Sequence, residues 1–103
     1  MDTDLCRLTL VYPPASEDAI TEALLGMEPA LPGFTTWAGA GHGFGYDEAS
    51  HVEKVRGNVS RRVLTTIARR ERIDAALEAV RTNAPIPKLM YWIEPVIAGG
   101  RLL

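Results

Sequence analysis

Two histidines, His42 and His51, stand nine residues apart in mid-chain, with Asp47, Glu48 and Glu53 between or beside them. Imidazole with carboxylate suits zinc, copper or nickel, so His42 and His51 are candidate metal ligands. Their spacing is not that of a compact metal motif. A site within one chain therefore competes with a solvated loop, and a site shared between copies stays open. The same stretch, residues 39–57, has glycine at 39, 41, 43 and 45 and closes on Arg56-Gly57. It shows neither a helical nor a strand period. Loops of this length in compact domains are functional or disordered, and glycine lets a ligand come close to the backbone. The alternating glycines are a weak dinucleotide signature, because no helix follows to supply its N-terminal dipole.

Other residues with reactive or binding chemistry have structural readings beside the functional ones. Cys6 alternates inward on a strand and reads as a small core residue rather than a nucleophile. Arg61-Arg62 could bind an anion or serve as sheet-edge charges. Trp37 and Trp92 could stack a base, yet strand aromatics mostly fill cores and interfaces. No nucleophile, base and orienting third residue assemble at suggestive spacing. With both histidines in a loop, acid–base catalysis lacks a rigid platform, so the expectation is a protein that is not an enzyme.

The scaffold that must position these residues is a single domain of 103 residues, and 47% hydrophobic with 23% charged content is ordinary for a globular chain. A net charge of −2 argues against nucleic acid as a partner. The cluster Arg56, Arg61, Arg62, Arg69, Arg70 and Arg72 reads as solvated surface. One cysteine excludes an internal disulfide. With no charged-then-apolar leader and no long apolar run, the expectation is a cytoplasmic protein without membrane insertion.

Leu5 to Tyr12 alternates with apolar residues on both faces, which predicts a central strand, and Pro13-Pro14 stops it. Ser16 is a candidate N-cap for a helix to about Met27, with Glu17 and Asp18 in its first turn and Ala19, Ile20, Ala23, Leu24 and Met27 along one stripe. Phe34 to Ala38 is a short second strand leading into the glycine loop. Val59 to Ala68, with a period of two, leads out as its antiparallel partner. Arg70 to Arg81 is a second amphipathic helix, broken by Asn83 and Pro85-Ile86-Pro87. Leu89 to Ile97 is a last strand whose Pro95 suggests an edge or a bulge, and Ala98 to Leu103 is a short tail. The order β-α-β-β-α-β predicts an α+β, ferredoxin-like fold: a four-stranded antiparallel sheet with two helices on one face. The uncovered face would be an unusually large apolar patch, so copies of the chain are expected to cover it in a closed cyclic oligomer.

Several segments carry a family resemblance. They are the first strand ending at Tyr12-Pro13, Gly33-Phe34-Thr35-Thr36-Trp37 entering Gly39-Ala40-Gly41, Arg56-Gly57 closing the loop, and Glu94-Pro95-Val96 followed by Arg101. On these residues the chain, over nearly its full length, resembles the PII-like signalling superfamily, which includes the CutA proteins. It is most similar to the small PII-like proteins found beside heavy-metal efflux genes. The resemblance implies one PII-like domain over 1–103, a homotrimer with its sheets at the middle, and a long T-loop-like segment, 40–57, that engages a partner such as a membrane transporter or efflux protein. It implies a ligand, possibly an adenine nucleotide, in the cleft between subunits. Carried over, the loop base is Gly39, Gly41 and His42 with Gly43 beside them, the loop exit is Arg56, the connection before the last strand offers Lys88, and Arg101 is the C-terminal basic residue. PII proteins have a glycine-rich connection ending in lysine, whereas this chain has Asn83-Ala84-Pro85-Ile86-Pro87-Lys88, and the backbone cradle for phosphate is gone. The alternative is a CutA-like metal-binding accessory protein in heavy-metal tolerance, with a divalent transition metal on His42 and His51.

Overall fold

A computed structural model describes residues 4–43 and 58–103. The elements run β1 (Leu5–Tyr12), a 3-10 turn (Pro14–Ser16), α1 (Glu17–Leu25), β2 (Thr35–Gly41), β3 (Val59–Arg69), α2 (Arg70–Asn83) and β4 (Met90–Pro95). The sheet is antiparallel with order β2-β3-β1-β4. The expected ferredoxin-like β-α-β-β-α-β order is thus the observed one, β1 is central, and β4, with Pro95, is an edge strand.

Register fixes the faces, since residues directly opposite one another share a side. On one side Leu8, Leu10, Tyr12, Leu64 and Ala68 pack against Ile20 and Leu24 of α1 and Ile73, Ala76 and Val80 of α2 to make the core. Both helices therefore cover the same face. On the other side Trp37, Val63, Val11 and Met90 form one row across all four strands, and Thr35, Thr65, Thr9 and Trp92 form the next. Among the described residues nothing lies over that side: Trp37, Met90 and Trp92 are 46%, 41% and 44% exposed.

Two local expectations are corrected. Ser16 makes no side-chain cap, because Pro14 opens a 3-10 turn that has already wound Ser16 into the right-handed helical region. The second strand does not stop at Ala38. It continues through Gly39, Ala40 and Gly41, which pair with Arg61, Ser60 and Val59. The expected loop base is thus largely strand, and the loop-like segment 40–57 begins two residues later than expected, with its remainder outside the described residues. Gly41 is required by crowding rather than by turning: a Cβ there would lie 3.0 Å from the Arg61 Cγ and 3.2 Å from a Val59 methyl. Past the end of β2, at Gly43, φ +99°, the backbone enters the region that favours glycine.

Candidate ligand site

The predicted site residues fall into separate places. Gly39 and Gly41 lie on β2, with His42 and Gly43 just past its end, and His42 is exposed. Lys88, at φ 62°, precedes β4. The start of β4 and the end of β2 are at the same end of the sheet, but on its two opposite edges. Three interstrand spacings separate the edges, roughly 14 Å. Arg101 follows β4 at the other end of the sheet and is exposed. Arg56 and His51 lie outside the described residues. No single copy brings the described members of this set together.

The connection between α2 and β4 forms a hollow of about 460 Å³, walled by Leu77, Val80, Ala84, Ile86, Leu89 and Tyr91, with Arg81 and Lys88 at its rim. The Ala84 N–H donates to the Val80 carbonyl at 2.8 Å, closing the helix. Pro85 and Pro87 have no N–H to offer, and the Leu89 N–H is taken by the Ile86 carbonyl at 3.3 Å. This backbone is a poor cradle for phosphate, whereas its side chains make an apolar wall. Among the described residues no three His, Cys, Asp or Glu side chains gather as a metal site.

At the root of the β2–β3 hairpin is a polar network that sequence reasoning missed. Arg62 Nε donates to Glu17 Oε1 at 2.9 Å, Arg62 Nη2 donates to Thr36 Oγ1 at 3.1 Å, and the Tyr12 hydroxyl donates to the same Glu17 oxygen at 3.0 Å. These bonds tie β1, α1, β2 and β3 together. The hydrogen bond from Arg62 holds the Glu17 carboxyl below the usual carboxylate range. Burial, reinforced by the bond to Glu17, pushes the Tyr12 hydroxyl well above its ordinary value. Arg62 is therefore committed to an internal carboxylate rather than to an external anion. The period-two alternation of β3, which places Arg62 on the face of Leu64, was the available signal.

On the uncovered face Arg7 Nη2 and Nε donate to Glu94 Oε1 at 2.7 and 3.1 Å, and Trp92 Nε1 donates to that oxygen at 3.2 Å. Trp92, in a row with Thr9, Thr65 and Thr35, is thereby tied to this ion pair. The Cys6 thiol donates to the Asp4 carbonyl at 3.4 Å and packs against the core, as its strand position predicted.

The protein-family comparison matches residues 2–103 to the family described as "Protein of unknown function (DUF3240)". Among solved structures, a DUF3240 family protein from Shewanella baltica OS155 is similar over 100% of both chains, with TM-score 0.77 and 21% identity. PII from Arabidopsis thaliana, bound to citrate, is similar over 92% of this chain and 79% of its own, with TM-score 0.66 and 13% identity. No curated protein matches the sequence. At these identities the likeness establishes a shared PII-like fold. No helix among the described residues is long and apolar enough to cross a membrane.

Proposed function

We propose that this chain, which belongs to the DUF3240 family, is a small non-enzymatic regulator: copies assemble as a ring, most simply a homotrimer, and sense a small ligand in the cleft between neighbours. In the cytoplasm, the ligand biases the segment 40–57, through which the protein controls a partner such as a membrane transporter. One observation carries the reading. The residues that the resemblance carries over as a ligand site lie on two opposite edges and two opposite ends of one sheet, so bringing them into one cleft calls for adjacent copies. The uncovered rows of Trp37, Val63, Val11 and Met90 supply the surface on which those copies meet. For the ligand to act as a switch it must bind the two states of the segment with different affinity.

The test is a thermal-shift screen against adenine nucleotides, bicarbonate and divalent metals. A ligand at about 100 times its Kd adds roughly 2.7 kcal/mol to apparent stability. An upward shift with a nucleotide or bicarbonate that disappears in Arg101→Ala supports the inter-subunit cleft. A shift confined to copper, zinc or nickel, and abolished by His42→Ala with His51→Ala, replaces this reading with metal handling. No shift with any of them removes it.

A further inference from the structure

Among the described residues none fills the hollow between α2 and β4. Its volume of about 460 Å³ is that of a binding cavity, and its walls are the partly buried outer members of the core, Leu77, Ile86 and Leu89, with Tyr91 left 53% exposed. The segment after β4 presents the opposite problem. Ile97, Leu102 and Leu103 are 96%, 101% and 113% exposed, so the two leucines stand in water touching nothing. One chain thus carries an unfilled apolar hollow and an apolar segment with nowhere to go.

Within a single copy the two do not meet. The Val96 N–H donates to the Leu5 carbonyl at 2.9 Å, which anchors the departing segment at the far end of the sheet. Tyr91 is five residues back along β4, about 16 Å away at strand rise. Gly99 remains beside Leu5 and Val96, where its Cβ position is 3.5 Å from a side-chain atom of each, so the chain is still at that far end at Gly99. From there Leu102 and Leu103 project away from the molecule.

We infer that Leu102 and Leu103 of one copy dock in the α2–β4 hollow of a neighbouring copy. Residues 100–103, beyond the contact of Gly99 with Leu5 and Val96, can span up to about 14 Å, enough to reach a molecule packed against this end of the sheet. The contact is heterologous, hollow on one copy and leucines on the next, and it propagates around a closed ring with every hollow filled and every segment buried. It also gives the proline-bracketed connection a role distinct from phosphate binding, since Pro85 and Pro87 stiffen the wall that receives the leucines. This inference shares with the reading above the presence of neighbouring copies, but it does not depend on the sheet-face contact.

The test uses the full chain with a benzophenone side chain replacing that of Leu103, as an equal mixture of nitrogen-15-labelled and unlabelled protein, irradiated and mapped by mass spectrometry. The expected cross-links join peptides of unlike isotope and run from residue 103 to the 84–91 segment, and Ile86→Asp lowers their yield at least tenfold. Links confined to like isotopes with no mixed pairs, links elsewhere, or no links overturn the inference. Wild-type protein should bind anilinonaphthalene sulfonate at least tenfold more weakly than the variant Leu102→Asp with Leu103→Asp. Equal binding would show a hollow open to small ligands and would also overturn it. The same mixture carrying Trp37→Asp separates the two ideas. Intact cross-links with unchanged assembly remove the sheet-face contact alone, and absent cross-links in an assembly that needs Trp37 remove the leucine docking alone.

Discussion

The two faces of this sheet are made by alternate residues of the same strands and end in opposite conditions. On the helix side Leu8, Leu10 and Leu64 are 0% exposed, while on the other side Trp37 and Trp92 remain 46% and 44% exposed. Both faces are apolar enough to need cover. The chain supplies cover for one, by connecting strands through α1 and α2, while among the described residues nothing covers the other. Each face also holds a carboxylate–guanidinium pair, Glu17 with Arg62 on the covered side and Glu94 with Arg7 on the open side, whose side chains are 25%/25% and 47%/42% exposed. The difference teaches that apolar content measures the demand for burial, and topology decides whether that demand is met within one copy.

The largest expected effect is on the covered face. Leu10→Ala removes a wholly buried side chain and should cost about 2–5 kcal/mol in chemical denaturation. A loss below about 1 kcal/mol would mean that this face is not the tightly packed one. Trp37→Asp should instead spare the fold and weaken assembly, raising the dissociation constant seen in sedimentation by about 30-fold or more if the row is a central contact. Unchanged assembly would break the contrast between the faces. Tyr12→Phe, which deletes one buried hydroxyl and its bond to Glu17, should cost about 0.5–1.5 kcal/mol.

The smallest effects concern the two ion pairs. Arg62 and Arg7 each lower the pKa of their carboxylate partner by direct hydrogen bonds. A depressed folded-state pKa adds stability above the unfolded value, about 4.3, and loses it as pH falls through the folded value. Acid unfolding should therefore begin at higher pH in Arg62→Met than in the parent chain. Because salt screens exposed pairs most, 1 M salt should move the carboxyl titration of Glu94, followed by NMR, further than that of Glu17. At the alkaline end Tyr12 has the opposite sign: its raised folded-state pKa contributes stability that is lost once pH rises above about 10, where the unfolded tyrosine ionises.

Much of this was legible in the sequence. Apolar residues at both alternate sets of positions in Leu5–Tyr12 put that strand at the centre, and Pro95 put the last strand at an edge, because each follows from what a neighbouring strand demands of a residue. The end of β2 was not legible. Glycine reads as a turn former, whereas Gly39 and Gly41 continue a ladder, and Gly41 leaves room for Arg61 and Val59 across from it. Ser16 was misread as a cap because proline at the preceding turn starts the winding earlier. The Tyr12–Glu17–Arg62–Thr36 network depends on register between segments far apart in sequence, which local periodicity does not specify. For the candidate site, sequence named residues that one copy keeps apart, since their meeting place depends on how copies adjoin.

The β2–β3 hairpin runs past its support. Its last pairing backed by β1 is Ala38 with Arg62, opposite Tyr12, and three further pairs, Gly39–Arg61, Ala40–Ser60 and Gly41–Val59, extend beyond as a ribbon of two strands. That makes it a cantilever about 10 Å long at strand rise. Two-stranded ribbons twist more strongly than wide sheets, so the overhang can turn out of the plane of the four strands behind it. Its fulcrum is Arg62, clamped by Glu17 and Thr36. A torque applied at the outer end arrives at that guanidinium, and loosening the clamp would soften the whole arm without touching it.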